Sequence, residues 1–202
     1  MNVLIIPEDF RKDQYILKPI VSAMMRECGR PRVKVEVCRD PNARGVDQAT
    51  KWEFIEKVLD RYQGMVDLYL LIVDRDNDSA RRTTLTSIET QTQSVLPQPK
   101  CLLGENAWQE VEVWALAGHD LLPGWTWNEI RSERDPKENY FIPLARSRGL
   151  LSEPGEGRKT LSTEAARQYS RIRQLCPEDV AKLENRIRAW LQNQDNTGLP
   201  TS

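Results

Sequence analysis

Two uninterrupted apolar segments constrain the fold of this chain more than any other feature of its sequence. Residues 2–6 and residues 68–73 form these segments, and acidic residues follow both of them. Short apolar runs of this kind are typical of strands that are buried on both faces of a parallel sheet. The carboxyl ends of parallel strands lie at one edge, where open α/β sheets bind their ligands. We therefore expect the acidic residues to converge at that edge.

Five carboxylates belong to these two acidic groups. Glu8 and Asp9 follow the first segment, and Asp74, Asp76 and Asp78 follow the second. Carboxylates crowded together repel each other unless solvent or a cation intervenes. Alternate residues of an extended D-x-D point the same way, and Mg²⁺ prefers oxygen ligands. The pattern predicts a metal site with Glu8, Asp74, Asp76 and Asp78 as ligands; the alternative is a polar turn whose aspartates cap the next helix.

A third acidic element is the segment Q-E-V-E-V-W-A-L at residues 109–116. Its apolar residues recur at helical spacing around Glu110 and Glu112. A carboxylate in such a helix is costly unless it is paired, bound to a metal ion, or placed in the first turn. The sequence leaves these three explanations open, and it adds Glu112 as a metal-ligand candidate with Glu110 as a secondary acidic residue.

Apolar periodicity divides the remainder of the first 120 residues into further elements. The expected helices and strands are helices at residues 15–28, 52–62, 79–94 and 108–117, and strands at residues 33–37 and 100–103. Strands that alternate with helices indicate a mostly parallel four-stranded sheet with helices on both faces. The predicted fold class is therefore α/β.

The C-terminal part of the chain is expected to be a helical appendage. Pro123 and Gly124 end the preceding helix, and an irregular stretch is predicted from there to Gly157. Two helices follow, at residues 162–175 and 177–192. We divide the chain into an α/β domain at 1–120, an irregular segment with a helical tail packed on that domain at 121–194, and a disordered end at 195–202.

Composition excludes several classes of protein and site. Hydrophobic residues make up 39% and charged residues 29% of the chain, which is typical of a soluble globular protein. A single histidine and four scattered cysteines argue against zinc sites and disulfide frameworks. No segment resembles a membrane span, a signal peptide or a glycine-rich phosphate loop. We expect a cytoplasmic protein that does not contact membranes.

Positive charge is concentrated in one part of a chain whose net charge is only −1. Residues 144–173 contain seven basic and three acidic side chains. Arg167 and Arg171 are four apart on a predicted helix, with Arg158 and Lys159 just upstream. We expect this basic window to contact phosphate or an acidic partner surface; the alternative is a solvated basic face.

The acidic elements together resemble a Toprim-like domain. The resemblance is carried by Glu8, by the D-x-D of Asp74 and Asp76, and by the later Q-E-x-E-x-W helix. It is strongest over residues 1–117 and most similar to small stand-alone Toprim-related proteins of prokaryotes, which are often encoded beside an ATPase. It implies a Rossmann-like fold, Mg²⁺ or Mn²⁺ as cofactor, and phosphodiester chemistry. It also implies that Glu112 takes the later acidic position and that Lys159 matches a basic residue near the tail.

The chain departs from the family pattern just after Glu8. The family usually has glycine at the next position and an acidic residue a few positions later, whereas this chain has Asp9 and Lys12 there. Asp13, one residue displaced, is the candidate to replace the missing acidic group. The departure implies a turn whose geometry differs from that of the family, and with it a loss of catalytic competence as the alternative to cleavage.

Two functions follow from the resemblance. The first is a metal-dependent nuclease in which Glu8, Asp74, Asp76 and Lys159 are catalytic. Its expected substrate is DNA or RNA, and the resemblance implies that it would act with an ATPase partner in a prokaryotic antiviral defence or mobile-element system. The second is a degenerate Toprim-like module that binds a protein or nucleic acid without cleaving it.

Overall fold

A four-stranded parallel sheet forms the centre of the protein. The computed structural model describes residues 1–40 and 45–196. The strands are β1 (Asn2–Pro7), β2 (Lys34–Val37), β3 (Leu68–Asp74) and β4 (Cys101–Ala107). They lie in the order β2-β1-β3-β4, and every neighbouring pair is parallel. The predicted α/β class with a four-stranded sheet is confirmed.

Strand register decides which residues meet at the carboxyl edge of the sheet. Pro7 at the end of β1 lies opposite Ile72 of β3, and Asp74 at the end of β3 lies opposite Ala107 of β4. Glu8 therefore leaves the sheet beside the last residues of β3, and the segment after β4 leaves beside Asp74. This register brings the ends of three strands together.

Helices cover both faces of the sheet, because alternate strand residues point to opposite sides. On one face, Leu4, Ile6, Tyr69 and Leu71 share a core with α2 (Val46–Ala49), α3 (Trp52–Tyr62) and α4 (Arg81–Val95). On the other face, Val3, Ile5, Leu70 and Ile72 share a core with α1 (Phe10–Glu27), α5 (Glu112–Ala117) and the C-terminal helices.

The C-terminal helices follow α5 in close succession. They are α6 (Trp127–Ser132), a π-helical turn (Lys137–Phe141), α7 (Ile142–Ser147), α8 (Arg158–Ala165), a 3₁₀ turn (Ala166–Gln168), α9 (Tyr169–Leu175), a second π-helical turn (Pro177–Ala181) and α10 (Lys182–Asn196). Buried side chains such as Leu161, Ile172 and Ile187 belong to the same core as the sheet. The disordered end predicted at residues 195–202 lies outside the described residues from 197 onward. Its first two residues, Asp195 and Asn196, belong to α10.

The expectation of an irregular stretch up to Gly157 is wrong, since residues 127–132 and 137–147 are helical. Thr126 and Glu129 form a capping box, in which the Thr126 hydroxyl accepts from the Glu129 N–H and the Glu129 carboxylate accepts from the Thr126 N–H. This signature starts α6, and Ile130 and Phe141 then anchor the segment in the core. The helices are short, which is why their periodicity is weak.

Strand β4 extends four residues beyond the predicted end at residue 103. The extension carries Glu105, whose side chain is 1% exposed and would normally argue against a buried strand. Its charge is balanced by Lys182 Nζ at 3.3 Å, Arg82 Nη1 at 3.5 Å and Arg186 Nη1 at 3.6 Å. Those cations come from α4 and α10, so only the folded chain makes the longer strand favourable.

Helix α5 begins at Glu112 rather than at residue 108. Residues 108–111 form the connection from β4, and within it Gln109 has a φ of 67°, a left-handed conformation that a helix does not contain. In the described part of the chain, no helix has both the length and the apolar character needed to cross a membrane.

Candidate functional site

An acidic pocket of about 250 Å³ opens at the carboxyl edge of the sheet. Its lining combines carboxylates with cations: Glu8, Asp9, Asp13, Asp74, Glu110 and Glu112, with Lys12, Lys137 and Arg158. The three acidic elements of the sequence therefore each contribute to one pocket. We call it the acidic pocket below.

The turn after β1 directs two further carboxylates toward Glu8. Asp9 caps α1, since its side chain accepts a hydrogen bond from Arg11 N at 2.9 Å. The Asp9 N–H donates in turn to Asp13 Oδ2 at 2.9 Å, which holds the Asp13 side chain at the pocket. Asp9 has extended backbone angles, φ −130° and ψ 96°, that any residue adopts. The turn therefore does not require the glycine that the family pattern has at this position.

Glu8 and Asp74 are held next to each other by the backbone. The Asp74 N–H donates to Glu8 Oε2 at 3.3 Å, and Asp74 Oδ1 accepts from Val111 N at 2.8 Å. Both carboxylates are partly buried. The end of β3 thus orients one carboxylate with its N–H and supplies a second with its own side chain.

Glu112 is buried at the first residue of α5 and forms an ion pair with Arg158. Its side chain is 5% exposed and that of Arg158 is 1% exposed. Arg158 donates from Nε and Nη2 to Glu112 Oε1 at 2.9 and 2.6 Å, and from Nη1 to Gly155 O and Glu156 Oε2 at 3.0 and 2.8 Å. Two of the three explanations for a carboxylate in this apolar helix therefore apply to Glu112, because it is paired and it lies in the first turn. The expected role of Arg158 as a phosphate or partner contact needs correction, because its donors are already used inside the protein.

Glu110 has a cationic partner of its own. Glu110 Oε2 accepts from Lys137 N at 2.7 Å, and Lys137 Nζ lies 3.4 Å from Glu110 Oε1. Burial raises the pKa of Glu110 to about 7. Lys137 comes from the π-helical turn after α6, so the C-terminal part of the chain supplies the cations that pair with Glu110 and Glu112, which are Lys137 and Arg158.

The crowded carboxylates hold protons more strongly than free ones. Burial raises the pKa of Asp13 to about 8, and the charges of Glu112 and Glu8 add to the effect. Burial likewise raises the pKa of Asp74 well above its usual value, again with the charges of neighbouring carboxylates contributing. The pKa of Glu8 is raised by burial and, to a smaller extent, by Asp76. At neutral pH the pocket therefore favours a bound proton or another cation.

Asp76 and Asp78 do not line the acidic pocket, which corrects the expected ligand set. Strand β3 ends at Asp74, and Asp76 has a φ of 49°, so the D-x-D is not extended and its two side chains do not share a direction. Asp76 and Asp78 instead lie 3.7 Å from Arg81 Nη2, with side chains 50% and 44% exposed. Asp76 remains near enough to Glu8 to raise its pKa.

The expected basic residues also lie elsewhere. Lys159 is exposed and is absent from the lining, whereas its neighbour Arg158 faces the pocket. Arg171 Nη1 pairs with Asp120 Oδ1 at 2.8 Å, and Arg167 is an exposed residue of the 3₁₀ turn. That turn interrupts the predicted helix between Arg167 and Arg171, so their four-residue spacing does not place them on one continuous helix.

The carboxylates of the acidic pocket provide the oxygen ligands that a hard divalent cation prefers, but they are not arranged as a complete coordination shell. Carboxylate oxygens are the ligands of Mg²⁺ and Mn²⁺. Among residues 1–40 and 45–196, no group of three or more aspartate, glutamate, histidine or cysteine side chains is arranged to hold a metal ion. Mg²⁺ commonly binds through one or two carboxylates together with water and substrate phosphate, and Glu8 and Asp74 meet that smaller requirement.

Sequence reasoning missed Lys137 and the pairing of Arg158 as parts of this pocket. The signal for a partner was the position of Glu112 in an apolar helix, but that position left pairing, metal binding and first-turn placement open and did not indicate which cation would pair with it. Gly157, at a φ of 86°, turns the chain into α8 and positions Arg158 there.

No family model matches the chain, and neither a curated protein nor a solved structure matches it.

Proposed function

We propose that this protein is a Toprim-like phosphodiester hydrolase that uses Mg²⁺ or Mn²⁺ at the acidic pocket. The observation that carries the proposal is the convergence of Glu8, Asp13, Asp74 and Glu112 at the carboxyl edge of a parallel sheet. Their mutual repulsion and burial favour a cation at this position. The same edge is where open α/β sheets bind substrates.

Glu8 and Asp74 are the residues that would hold the divalent ion. Such an ion, when bound, polarises the scissile phosphate and stabilises the leaving oxygen. Glu112 has its charge balanced by Arg158 and keeps α5 and α8 in position around the pocket. The ion pair is thus a positioning element in this proposal.

Asp13 and the lysines supply the remaining chemistry. With a pKa of about 8, Asp13 exchanges a proton near neutral pH and can accept one from an attacking water. Lys12 and Lys137 line the pocket and offset the negative charge of a phosphate group. Lys12 is the more accessible of the two, with a side chain 49% exposed.

The resemblance extends the proposal to the biological setting. A nuclease of this kind would cleave DNA or RNA and act with an ATPase partner in a prokaryotic antiviral defence or mobile-element system. The site chemistry supports the hydrolase, and the partner rests on the resemblance.

A non-catalytic module is the second candidate, and one observation favours it. Glu110 and Glu112 are already paired with Lys137 and Arg158, and the described residues contain no three-ligand metal cage. A pocket neutralised by its own cations could bind a partner or nucleic acid without hydrolysing it.

Substitutions at the two proposed ion ligands test the hydrolase. In Glu8→Gln and Asp74→Asn we expect Mg²⁺- or Mn²⁺-dependent cleavage of oligonucleotides to fall by at least about a hundredfold, since oxygen ligands with full negative charge are lost. Mn²⁺ binding, measured by calorimetry without nucleic acid, should weaken in parallel. Cleavage is measured with the ATPase encoded beside the gene added where one is present.

Asp60→Asn is the matched control, because Asp60 is an exposed aspartate on α3 outside the acidic pocket. This variant should cleave and bind Mn²⁺ like the wild type, and all variants should keep their circular dichroism spectra. Cleavage by Asp74→Asn at the rate of the wild type would refute the hydrolase assignment. Mn²⁺ binding with no cleavage by the wild type would favour the non-catalytic module.

A further inference from the structure

A second cavity, of about 650 Å³, adjoins the acidic pocket. Neighbouring residues of the same two segments line the two cavities. Asp74 and Glu110 face the acidic pocket, while Arg75 and Gln109 line the larger cavity. We call this larger cavity the indole cleft, since Trp108 and Trp127 are part of its wall. Its volume suits a ligand of the size of one or two nucleotides.

Arg75 is the unused cation of the indole cleft. Its guanidinium carbon lies 3.8 Å from the centre of the Trp108 ring, which is close stacking. Over residues 1–40 and 45–196, its side chain makes no ion pair or hydrogen bond with another group. Arg131, the other arginine near Trp108, is engaged by Glu178 at 2.6 Å and Asp179 at 3.4 Å. Arg75 therefore presents a positioned guanidinium whose donors are available to an anion.

The wall around Arg75 is hydrogen-bonded and rich in amides. Gln109 Nε2 donates to Asn77 Oδ1 at 2.9 Å, and Asn77 N donates to Gln109 Oε1 at 3.1 Å. This reciprocal pair holds two residues with left-handed φ values, 57° for Asn77 and 67° for Gln109. Trp127 is fixed by its Nε1–H, which donates to Leu175 O at 2.9 Å. A free cation, an indole and oriented amides thus share one cleft.

We infer that the indole cleft binds a nucleotide unit of single-stranded nucleic acid, with a phosphate on Arg75 and a base against Trp127 and the neighbouring amides. The inference rests on the proposed function, because it places this unit beside the bond that the acidic pocket would cleave. Arginine suits phosphate oxygens, and base faces and edges suit indoles and amides. In a duplex those faces are stacked and those edges paired, so the cleft selects single strands.

Binding without cleavage tests the cleft separately from the acidic pocket. The probe is a short fluorescein-labelled oligothymidylate, and anisotropy is measured in EDTA at several salt concentrations. The same strand annealed to its complement, and thymidine monophosphate as a competitor, are the other arms. We expect the single strand to bind at least about tenfold more tightly than either, because contacts to successive nucleotides add.

Two substitutions of Arg75 separate its charge from its stacking. Arg75→Gln should weaken binding by about tenfold or more, as expected when a charged hydrogen bond is lost. It should also make the slope of log affinity against log salt shallower by about 0.7. Arg75→Lys should retain the slope and lose part of the affinity, since lysine keeps the charge without the planar stacking. Arg26→Gln, which removes an exposed arginine at the far end of α1, is the matched control and should bind like the wild type.

The binding results test the indole cleft, and the cleavage results test the hydrolase separately. The inference is overturned if Arg75→Gln leaves the affinity and the salt slope unchanged, or if Arg26→Gln loses as much affinity as Arg75→Gln. It is also overturned if the duplex or the monophosphate binds as tightly as the single strand. Failure of the wild type to bind the strand would also overturn it. If the wild type binds through Arg75 but never cleaves with Mg²⁺ or Mn²⁺, the proposed hydrolase fails and the cleft stands.

Discussion

Asp13 holds a proton near neutral pH because its carboxyl group is buried beside other carboxylates. Its pKa rises from a usual value of 3.8 to about 8 in the folded protein. The folded state therefore binds a proton that the unfolded state has released over this interval. For an acid with a raised pKa, the contribution to stability is present at low pH and is lost as the pH rises.

The stability of the protein should therefore depend on pH. Without divalent ions, the melting temperature should fall between about pH 4 and pH 8, and Asp13→Asn should flatten the fall and melt higher than the wild type at pH 8. The asparagine still accepts the Asp9 hydrogen bond but carries no charge. Thermal denaturation across this pH range, in EDTA, measures it.

Mn²⁺ should reverse the fall in the wild type, because the ion competes with protons for the same carboxylates. Asp60→Asn, on the surface of α3, should follow the wild-type curve. The account is contradicted if the melting temperature of Asp13→Asn falls with rising pH as steeply as that of the wild type. Some dependence should persist in Asp13→Asn, since Asp74 and Glu110 also have raised pKa values.

Helices α5 and α8 carry Glu112 and Arg158, and their close approach depends on Gly118. A Cβ built on Gly118 would lie 2.4 Å from both Cα and Cβ of Ala165, closer than atoms can pack. His119 Nε2 lies 2.9 Å from Leu161 O, across the same contact. Burial lowers the pKa of His119, so the ring favours its neutral form there. This contact holds together the two short helices that carry the Glu112–Arg158 ion pair.

Gly118→Ala should therefore act on stability and on the site together. We expect the free energy of unfolding to fall by about 1–3 kcal/mol, as for other overpacked cores, because backbone has to shift. Divalent-ion affinity should fall as well, since α5 and α8 separate. Urea denaturation and Mn²⁺ calorimetry measure the two effects. Gly64→Ala is the control, because a Cβ there meets nothing within 4 Å; equal stability of the two variants would count against the close contact.

Internal ion pairs, formed with several parts of the protein, neutralise much of the positive charge of the basic window at residues 144–173. Arg148 pairs with Glu164 at 2.7 Å, and Arg173 Nε lies 3.1 Å from Glu184 Oε2. Arg158 and Arg171 are paired as described above. The window therefore gives a weaker positive surface than its composition indicates, although Lys159 and Arg167 remain exposed.

The triple variant Lys159→Ala, Arg167→Ala, Arg171→Ala tests what remains of this surface. Its free energy of unfolding should change by less than about 1 kcal/mol, because exposed charges contribute little to stability. Nucleic-acid affinity should weaken across sequences, with a slope against log salt that is shallower by about 0.7 for each lost contact to a single strand. Titrations at several salt concentrations decide the matter, and an unaltered slope would show that this surface has another role.

Local patterns in the sequence were sufficient to predict the parallel sheet and the helices α1, α3 and α4. Alternation and apolar runs are local properties, and they correctly indicated strands near residues 2–6, 33–37 and 68–73. They failed where burial depends on distant partners, as at Glu105, whose charge is balanced from α4 and α10. They also failed over residues 127–147, where short helices are stabilised mainly by packing against the core.

The sequence alone predicted that the acidic residues after the first and third strands, Glu8 and Asp74 among them, meet at one edge of a parallel sheet, because strand direction dictates where each strand ends. Which carboxylates share the pocket depends on the folded arrangement of the chain. Left-handed backbone after Asp74 turns Asp76 away, while the cap of α1 turns Asp13 in. Arg158 and Lys159 are adjacent, yet successive helix residues point about 100° apart, so one is buried against Glu112 and the other is exposed. Rotation about a helix axis and the angles of one turn are set by packing, and packing joins residues that lie far apart in the chain.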